Sequence, residues 1–297
     1  VRAQVQAGLR ADAQDPNSIA GQAFDAAAFG DHPYGTPIDG TQETVAGLTQ
    51  EDMFDAHRNA FTTGRVHVGA AGDITAEELG ALIDELIGDL PADGPDLPGR
   101  VDFALEGGVT IVPFETPQSV ALFGHAGIER DDEDFFAAFI LNEVLGGSGL
   151  ESRLMREVRE KRGLTYGVYT YLATKDFSEM YLGQVASGNG TIAEAIDVVR
   201  AEWAKLASEG VTEQELAQTK TYLTGAYPLR FDGNAEIASI LVGMQAVGLD
   251  TSYIANRNDF INEVTLEDVN RVAAELLDPD GLHFVVVGQP AGLEASD

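Results

Sequence analysis

The sequence predicts an α+β fold made of two related domains, each a mostly antiparallel sheet packed with helices, the first truncated at its N-terminus. Three observations predict it: an internal repeat, a proline-rich segment between the copies, and strand and helix periodicities that interleave in the second copy. The length of 297 residues fits about two domains, and 44% hydrophobic residues can form a sizeable core.

The repeat aligns residues 48–73 with residues 264–289 without a gap, so that His67 matches His283 and Gly72 matches Gly288. Each copy has a threonine N-cap, acidic residues in the first turn, an amphipathic helix, a turn and a short apolar strand ending in glycine. One supersecondary unit is therefore expected to occur twice.

The two copies differ in length, which predicts the domain boundaries. Equivalent residues of the two copies lie 216 positions apart. The second copy begins near Gly107, so this offset puts the start of the first copy about 110 residues before Val1. Residues 91–99 hold three prolines and two glycines, a composition typical of an extended linker, although a long surface loop within one domain is the alternative. We expect the C-terminal part of a first domain (1–90), a linker (91–106), a complete second domain (107–290) and a tail (291–297).

Within the second domain, the elements follow from periodicity, caps and turns. Strands are predicted at residues 109–114, 119–126, 164–173 and 180–186. Helices are predicted at residues 131–145, 151–161, 192–209 and 212–223.

Composition excludes several function classes. With 49 acidic against 18 basic residues, the net charge of −31 opposes binding to nucleic acid or to an anionic membrane surface. The absence of cysteine excludes thiolate catalysis, cysteine zinc sites and disulfides. No apolar run is long enough to cross a bilayer.

Common catalytic motifs are also missing. No two of the five histidines have the i, i+4 spacing of zinc ligands, and neither HExxH nor HxxEH occurs. His67 and His283 occupy equivalent strand positions and are interpreted as structural. The glycine-rich run at residues 146–149 follows a helix, which argues against a phosphate loop.

A cationic segment stands out in this acidic chain. Five positive charges fall within ten residues: Arg153, Arg156, Arg159, Lys161 and Arg162. One interpretation is a helix C-terminus stabilised by basic residues. The other is a site at which an arginine of the helix end and a tyrosine of the following strand converge on a carbonyl oxygen.

Two stretches resemble the insulinase/pitrilysin family of zinc metallopeptidases, which includes mitochondrial processing peptidase. The first is residues 31–41 (DHPYGTPIDGT) with residues 48–52 (LTQED), and the second is residues 152–166 (SRLMREVREKRGLTY) after Leu145 and two glycines. The resemblance implies two α+β domains that form half of a peptidase clam-shell. Active members carry an HxxEH zinc motif near the front of the first domain.

The resemblance also implies site residues. The arginine and tyrosine that complete the family's catalytic site fall on Arg159 and Tyr166. The third zinc ligand of the family falls on Gly8, which has no side chain to offer a metal. We therefore expect no catalytic zinc and no other cofactor in this chain, and zinc in a partner subunit.

The leading hypothesis is the non-zinc subunit of a heterodimeric metallopeptidase, inactive alone, which supplies Arg159 and Tyr166 to a zinc-bearing paralogue acting on unstructured peptides. One alternative is a non-enzymatic scaffold of the same fold. Another is a zinc peptidase whose HxxEH lies upstream. By resemblance to paired bacterial peptidases, we expect a periplasmic location.

Overall fold

The structure is a computed structural model that describes residues 1–147 and 151–296. The N-terminal third is helical, and strands appear only after residue 107. The N-terminal helices are α1 (Arg2–Asp12), α2 (Pro16–Phe29), α3 (Gln42–Gly47), α4 (Gln50–Ala60) and α5 (Ala76–Ile87). The strands are β1 (Gly108–Pro113), β2 (Gln118–Ala126), β3 (Val168–Lys175), β4 (Ser178–Gly188) and β5 (His283–Gly288). The remaining α-helices are α6 (Phe135–Leu145), α7 (Ile192–Glu209), α8 (Glu213–Ala226), α9 (Asn234–Ala246), α10 (Ser252–Glu263) and α11 (Leu266–Leu276).

The strands form one five-stranded sheet in the order β1-β5-β2-β4-β3. Among the strands of the described ranges, only β1 and β5 pair in parallel, and the other neighbours are antiparallel. The predicted α+β class with a mostly antiparallel sheet is confirmed. Because β3 pairs only with β4 in the described residues, it lies at one edge of the sheet.

One face of the sheet is covered by helices α6, α7 and α11. Phe123 of β2 stacks on Phe284 of β5 with ring centroids 5.0 Å apart, and Trp203 of α7 contacts Phe123 edge-on. The Trp203 indole donates to Nε2 of the buried His125, and burial lowers the pKa of that imidazole. His125 is thus a neutral core residue.

The opposite face of the sheet is covered by α2, which comes from the predicted first domain. Phe24 and Ala28 of α2 are fully buried and pack with Leu182 and Val285 of the sheet. The sheet is therefore the middle layer between two layers of helices, and burial of both faces is the main source of its stability.

The repeat is visible in the helix bounds. Helices α4 and α11 begin and end at positions separated by the same 216 residues that align the two copies. Each begins with a capping box, formed by Thr49 with Asp52 in one copy and Thr265 with Asp268 in the other. The equivalent glycines Gly72 and Gly288 have φ values of 151° and 150°.

The strand predicted after α4 is wrong. Residues 66–71 have extended backbone at Val66 but form no ladder, because no other strand of the described ranges lies beside them. Helix α9 contacts this segment instead: Gln245 donates to the Val68 carbonyl at 2.9 Å, and Gly69 lies against Ala238. Thus α2, from the N-terminal third of the chain, packs on the sheet. Helix α9, from the C-terminal part, packs in turn on residues 66–71.

The predicted linker lies in residues 88–107, which form no helix or strand. The carbonyl of Pro91 accepts a hydrogen bond from the Thr63 amide, and Phe103 packs against Phe24 and Phe29. The segment is held along its length, and the division into two domains and a linker stays a prediction. None of the helices in the described ranges is long and apolar enough to span a membrane.

Candidate active site

Arg159 is presented by a π-helix, Met155–Glu160, where an α-helix was predicted. The Lys161 amide bonds the Arg156 carbonyl, five residues back, at 3.0 Å. The wider turn accommodates one extra residue, and such turns occur often at functional sites. Met155 and Val158 are buried beneath it, so the π-helix is fixed to the core while Arg159 is half-buried at its outer end.

Tyr166 lies on a loop, and the prediction that it belongs to a strand beginning at residue 164 is wrong. Gly163, with φ of +65°, turns the chain out of the helix, and β3 starts only at Val168. The Thr165 hydroxyl bonds the Ala186 and Gly167 carbonyls at 2.6 and 2.8 Å, and the Ser187 hydroxyl donates to the Leu164 carbonyl. These side-chain bonds replace the ladder of β4 over residues 164–167.

The structure brings the two predicted residues together. The Arg159 guanidinium carbon lies 5.0 Å from the centroid of the Tyr166 ring, within the range of a cation–π interaction. Tyr166 is 89% exposed, and its hydroxyl makes no hydrogen bond in the part of the chain that the structure describes. The phenol is thus oriented by its neighbour and free to donate to a ligand.

Three other cations of the segment form ion pairs within the fold. Arg153 is buried and binds both carboxylate oxygens of Glu215 at 2.8 Å. Lys161 and Arg162 both pair with Glu157. Of the five cations, only Arg156 and Arg159 have no ion pair in the described ranges, and only Arg159 lies on a tyrosine. A structural interpretation therefore accounts for the three paired cations. Arg159 has no ion pair in the described ranges and is available to bind a ligand.

The arrangement can stabilise negative charge on an oxygen. A phenol donates one hydrogen bond, and a guanidinium over its ring strengthens that donor while offering further N–H groups. A carbonyl that becomes an oxyanion gains most from such prearranged donors. The sequence motif predicts this pair but not the contacts of Thr165 and Ser187, because a hydroxyl that bonds a carbonyl on another element leaves no local signal.

The residues at the predicted metal position do not fit zinc. Gly8 lies in the middle of α1 and is exposed, and a Cβ built there would have no atom within 4 Å. The described residues also contain no group of three or more histidine, aspartate or glutamate side chains that could hold a metal. That this chain carries no catalytic zinc remains a prediction.

The fold is a sheet flanked by helices, and the Arg159–Tyr166 pair lies beside the start of its edge strand β3. The family model of the Peptidase M16 inactive domain matches residues 47–223, and the chain belongs to this family.

Individual relatives agree. An uncharacterized zinc protease of Mycobacterium leprae is 33% identical over 267 residues, which are 89% of this chain and 60% of that protein. One of Streptomyces coelicolor is 30% identical over 89% of this chain and 59% of its own. The crystal structure of a peptidase M16 inactive domain from Pseudomonas fluorescens is 27% identical, with a TM-score of 0.89 over 100% of this chain and 71% of that one. The chain spans about 60% of the length of these curated relatives.

Proposed function

We propose that this chain is the non-zinc subunit of a heterodimeric peptidase and supplies Arg159 and Tyr166 to peptide hydrolysis by a zinc-bearing partner. The observation that carries the proposal is the pair itself: an exposed phenol with an unoccupied hydroxyl, held 5.0 Å from a guanidinium on a loop anchored to β4. The zinc belongs to the partner. The proposal includes export to the periplasm, as in paired bacterial peptidases.

Each residue has a separate role in this proposal. The Tyr166 hydroxyl donates to the oxygen of the peptide carbonyl under attack and stabilises its developing charge. Arg159 holds the ring in position and binds a neighbouring carbonyl of an unstructured peptide. Prearranged donors of this kind act mainly on the transition state, so their loss lowers kcat more than it raises KM.

The first experiment mixes the chain with a zinc-bearing homologue from the same genome and measures peptide cleavage by each protein alone and by the pair. We expect activity only in the mixture. Arg159→Lys, which keeps the charge but loses the planar donor, should reduce that activity about 10²-fold.

A matched control is Arg58→Lys, which makes the same change at an exposed arginine of α4. It should leave the activity of the mixture unchanged. A stable complex without activity would favour the scaffold alternative, and full activity of Arg159→Lys would contradict the assigned role.

A second candidate is a zinc peptidase in which this chain is one part of a longer protein. The relatives' description as zinc proteases and the 60% share of their length favour it. Metal analysis of the protein at the length of its relatives decides between the two: stoichiometric zinc supports this candidate, and absence of zinc supports the subunit proposal.

A further inference from the structure

A cavity lies between helices α6, α9 and α10, away from the Arg159–Tyr166 loop. Its volume is about 430 Å³, and its walls are mostly apolar and aromatic. Phe136 and Phe139 of α6 face Ile240 and Met244 of α9 across it. Such a space accommodates a small ligand or a single side chain with its backbone.

The cavity is also cationic in a strongly acidic chain. Arg130, Arg230 and Arg257 line it, whereas no aspartate or glutamate among the described residues does. None of the three arginines forms an ion pair within the described ranges. Arg130 lies 4.1 Å from the Phe135 ring and donates to the Tyr253 hydroxyl. Arg257 lies 4.5 Å from the Tyr227 ring and donates to the Leu223 carbonyl. Although the sequence has 49 acidic residues, these three positive charges have no carboxylate partner in the part of the chain that the structure describes, and this favours an anionic ligand.

A buried phenol is a second observation that indicates ligand binding in this cavity. Tyr227 lines the cavity with only 8% of its surface exposed, and its hydroxyl has no hydrogen-bond partner among the described residues. A phenol is protonated at neutral pH and can donate a hydrogen bond, and burial raises the pKa of Tyr227 further above its ordinary value. A buried polar group without a partner is costly, and a ligand oxygen placed here would remove that cost.

We propose that this cavity binds a carboxylate attached to an aromatic or aliphatic group. The carboxylate accepts hydrogen bonds from Tyr227 and from the arginines, whose planar fork matches its two oxygens. The apolar group lies among Phe136, Phe139 and Met244. This chemistry is shared by the C-terminus of a peptide ending in an apolar residue and by a medium-chain fatty acid, and the proposal does not depend on Arg159 or Tyr166.

Calorimetric titration of the 297-residue chain tests the proposal with three probes: N-acetylphenylalanine, octanoate and N-acetylphenylalanine amide. We expect at least one carboxylate to bind, and the neutral amide to bind about tenfold more weakly than its acid. Tighter binding of N-acetylphenylalanine identifies a peptide C-terminus as the ligand, and tighter binding of octanoate identifies a fatty acid; either result supports the site.

Variants show whether binding occurs in this cavity. Tyr227→Phe removes only the hydroxyl without a partner, so the melting temperature should not fall, whereas Kd should rise about tenfold. Arg130→Met should also weaken binding, and Arg58→Met, with the same change of charge on α4, should not. The proposal is overturned if neither carboxylate binds at millimolar concentration, if the amide binds as tightly as the acid, or if Tyr227→Phe and Arg130→Met leave Kd unchanged.

Discussion

Arg153 and Arg159 belong to one short cationic segment but have different environments. Arg153 is 7% exposed and holds the π-helix segment to the N-terminus of α8 through Glu215, which also caps that helix with Thr212. Arg159 points to the exposed Tyr166 ring. Burial therefore separates a structural arginine from one that is available to a ligand.

The Arg153–Glu215 pair predicts a dependence of stability on pH. Burial opposes the ionisation of Glu215, but hydrogen bonds from Arg153 and Thr212 outweigh it and lower its pKa from 4.5 to about 2. A carboxyl whose pKa is lower in the folded state stabilises the fold above its unfolded pKa, and loses that effect as the pH falls. The contribution of the pair should therefore be complete above pH 4.5 and vanish toward pH 2.

Arg153→Met should lower the free energy of unfolding at pH 7 by about 2 kcal/mol, less than for a fully buried pair because Glu215 is partly exposed. The difference from the parent chain, measured by urea unfolding, should shrink as the pH falls from 5 toward 2, about the range between the two pKa values. Arg156→Met is the control, since Arg156 is exposed. A difference that does not change with pH would refute the assigned ion pair.

The Arg159–Tyr166 pair could be predicted from the sequence, whereas the Arg153–Glu215 pair could not. Arg159 and Tyr166 lie in a single short motif whose spacing carries the information. The Arg153–Glu215 pair joins residues 62 positions apart, and the capping box at Thr212 explains Glu215 without any arginine. Contacts between elements depend on packing, which local patterns do not encode.

At the scale of elements, helices α4 and α11 show how tertiary contacts override local signals. Both have the same length and the same capping box. Val269 of α11 is fully buried, whereas its repeat equivalent in α4, Met53, is 50% exposed. The helices form for the same local reasons, but only α11 lies against the described sheet.

This contrast predicts that truncating the side chain at these two equivalent positions lowers the free energy of unfolding by different amounts. Val269→Ala should destabilise the chain by about 2 kcal/mol, because it leaves a cavity beneath the sheet. Met53→Ala should change stability by less than about 0.5 kcal/mol, since no core is disturbed. Urea unfolding of both variants measures the difference. Equal losses would mean that α4 is buried in this chain as α11 is.

The sequence predictions of elements were accurate where the pattern was local. The helix predicted at residues 192–209 has those bounds in α7, because its apolar positions recur at helical spacing. The strand after α4 and the strand start at residue 164 were wrong, because a strand needs a neighbour or is replaced by side-chain bonds, and neither condition appears in a local pattern. The π-helix had no sequence signal that distinguishes it from an α-helix.

At the scale of the whole molecule, helices α2 and α9 join the N-terminal third of the chain to the rest. Helix α2 covers the sheet, and α9 contacts residues 66–71. Both contacts bring the N-terminal third and the rest of the chain together, and Gln184 of β4 reaches Asn17 of α2 at 2.6 Å. Strong negative charge on both parts acts against this association.

The net charge of −31 therefore predicts a strong dependence on salt. Raising NaCl from about 0.05 to 1 M shortens the screening length from more than 10 Å to about 3 Å, and repulsion between carboxylates weakens. We expect the melting temperature to rise by about 5 °C. A matched titration with sucrose, which stabilises folded proteins without screening, separates the two effects. A melting temperature independent of salt would show that the repulsion is locally compensated.

In the proposed function, the Tyr166 hydroxyl donates to the transition state of peptide hydrolysis. The most direct measurement is kcat of the mixed subunits at saturating peptide with Tyr166→Phe, beside Tyr222→Phe as a control at a half-exposed tyrosine of α8. Tyr166→Phe should lower kcat by about 10²–10³-fold with little change in KM, and the control should match the parent. Equal kcat values for Tyr166→Phe and the parent pair would contradict the claim.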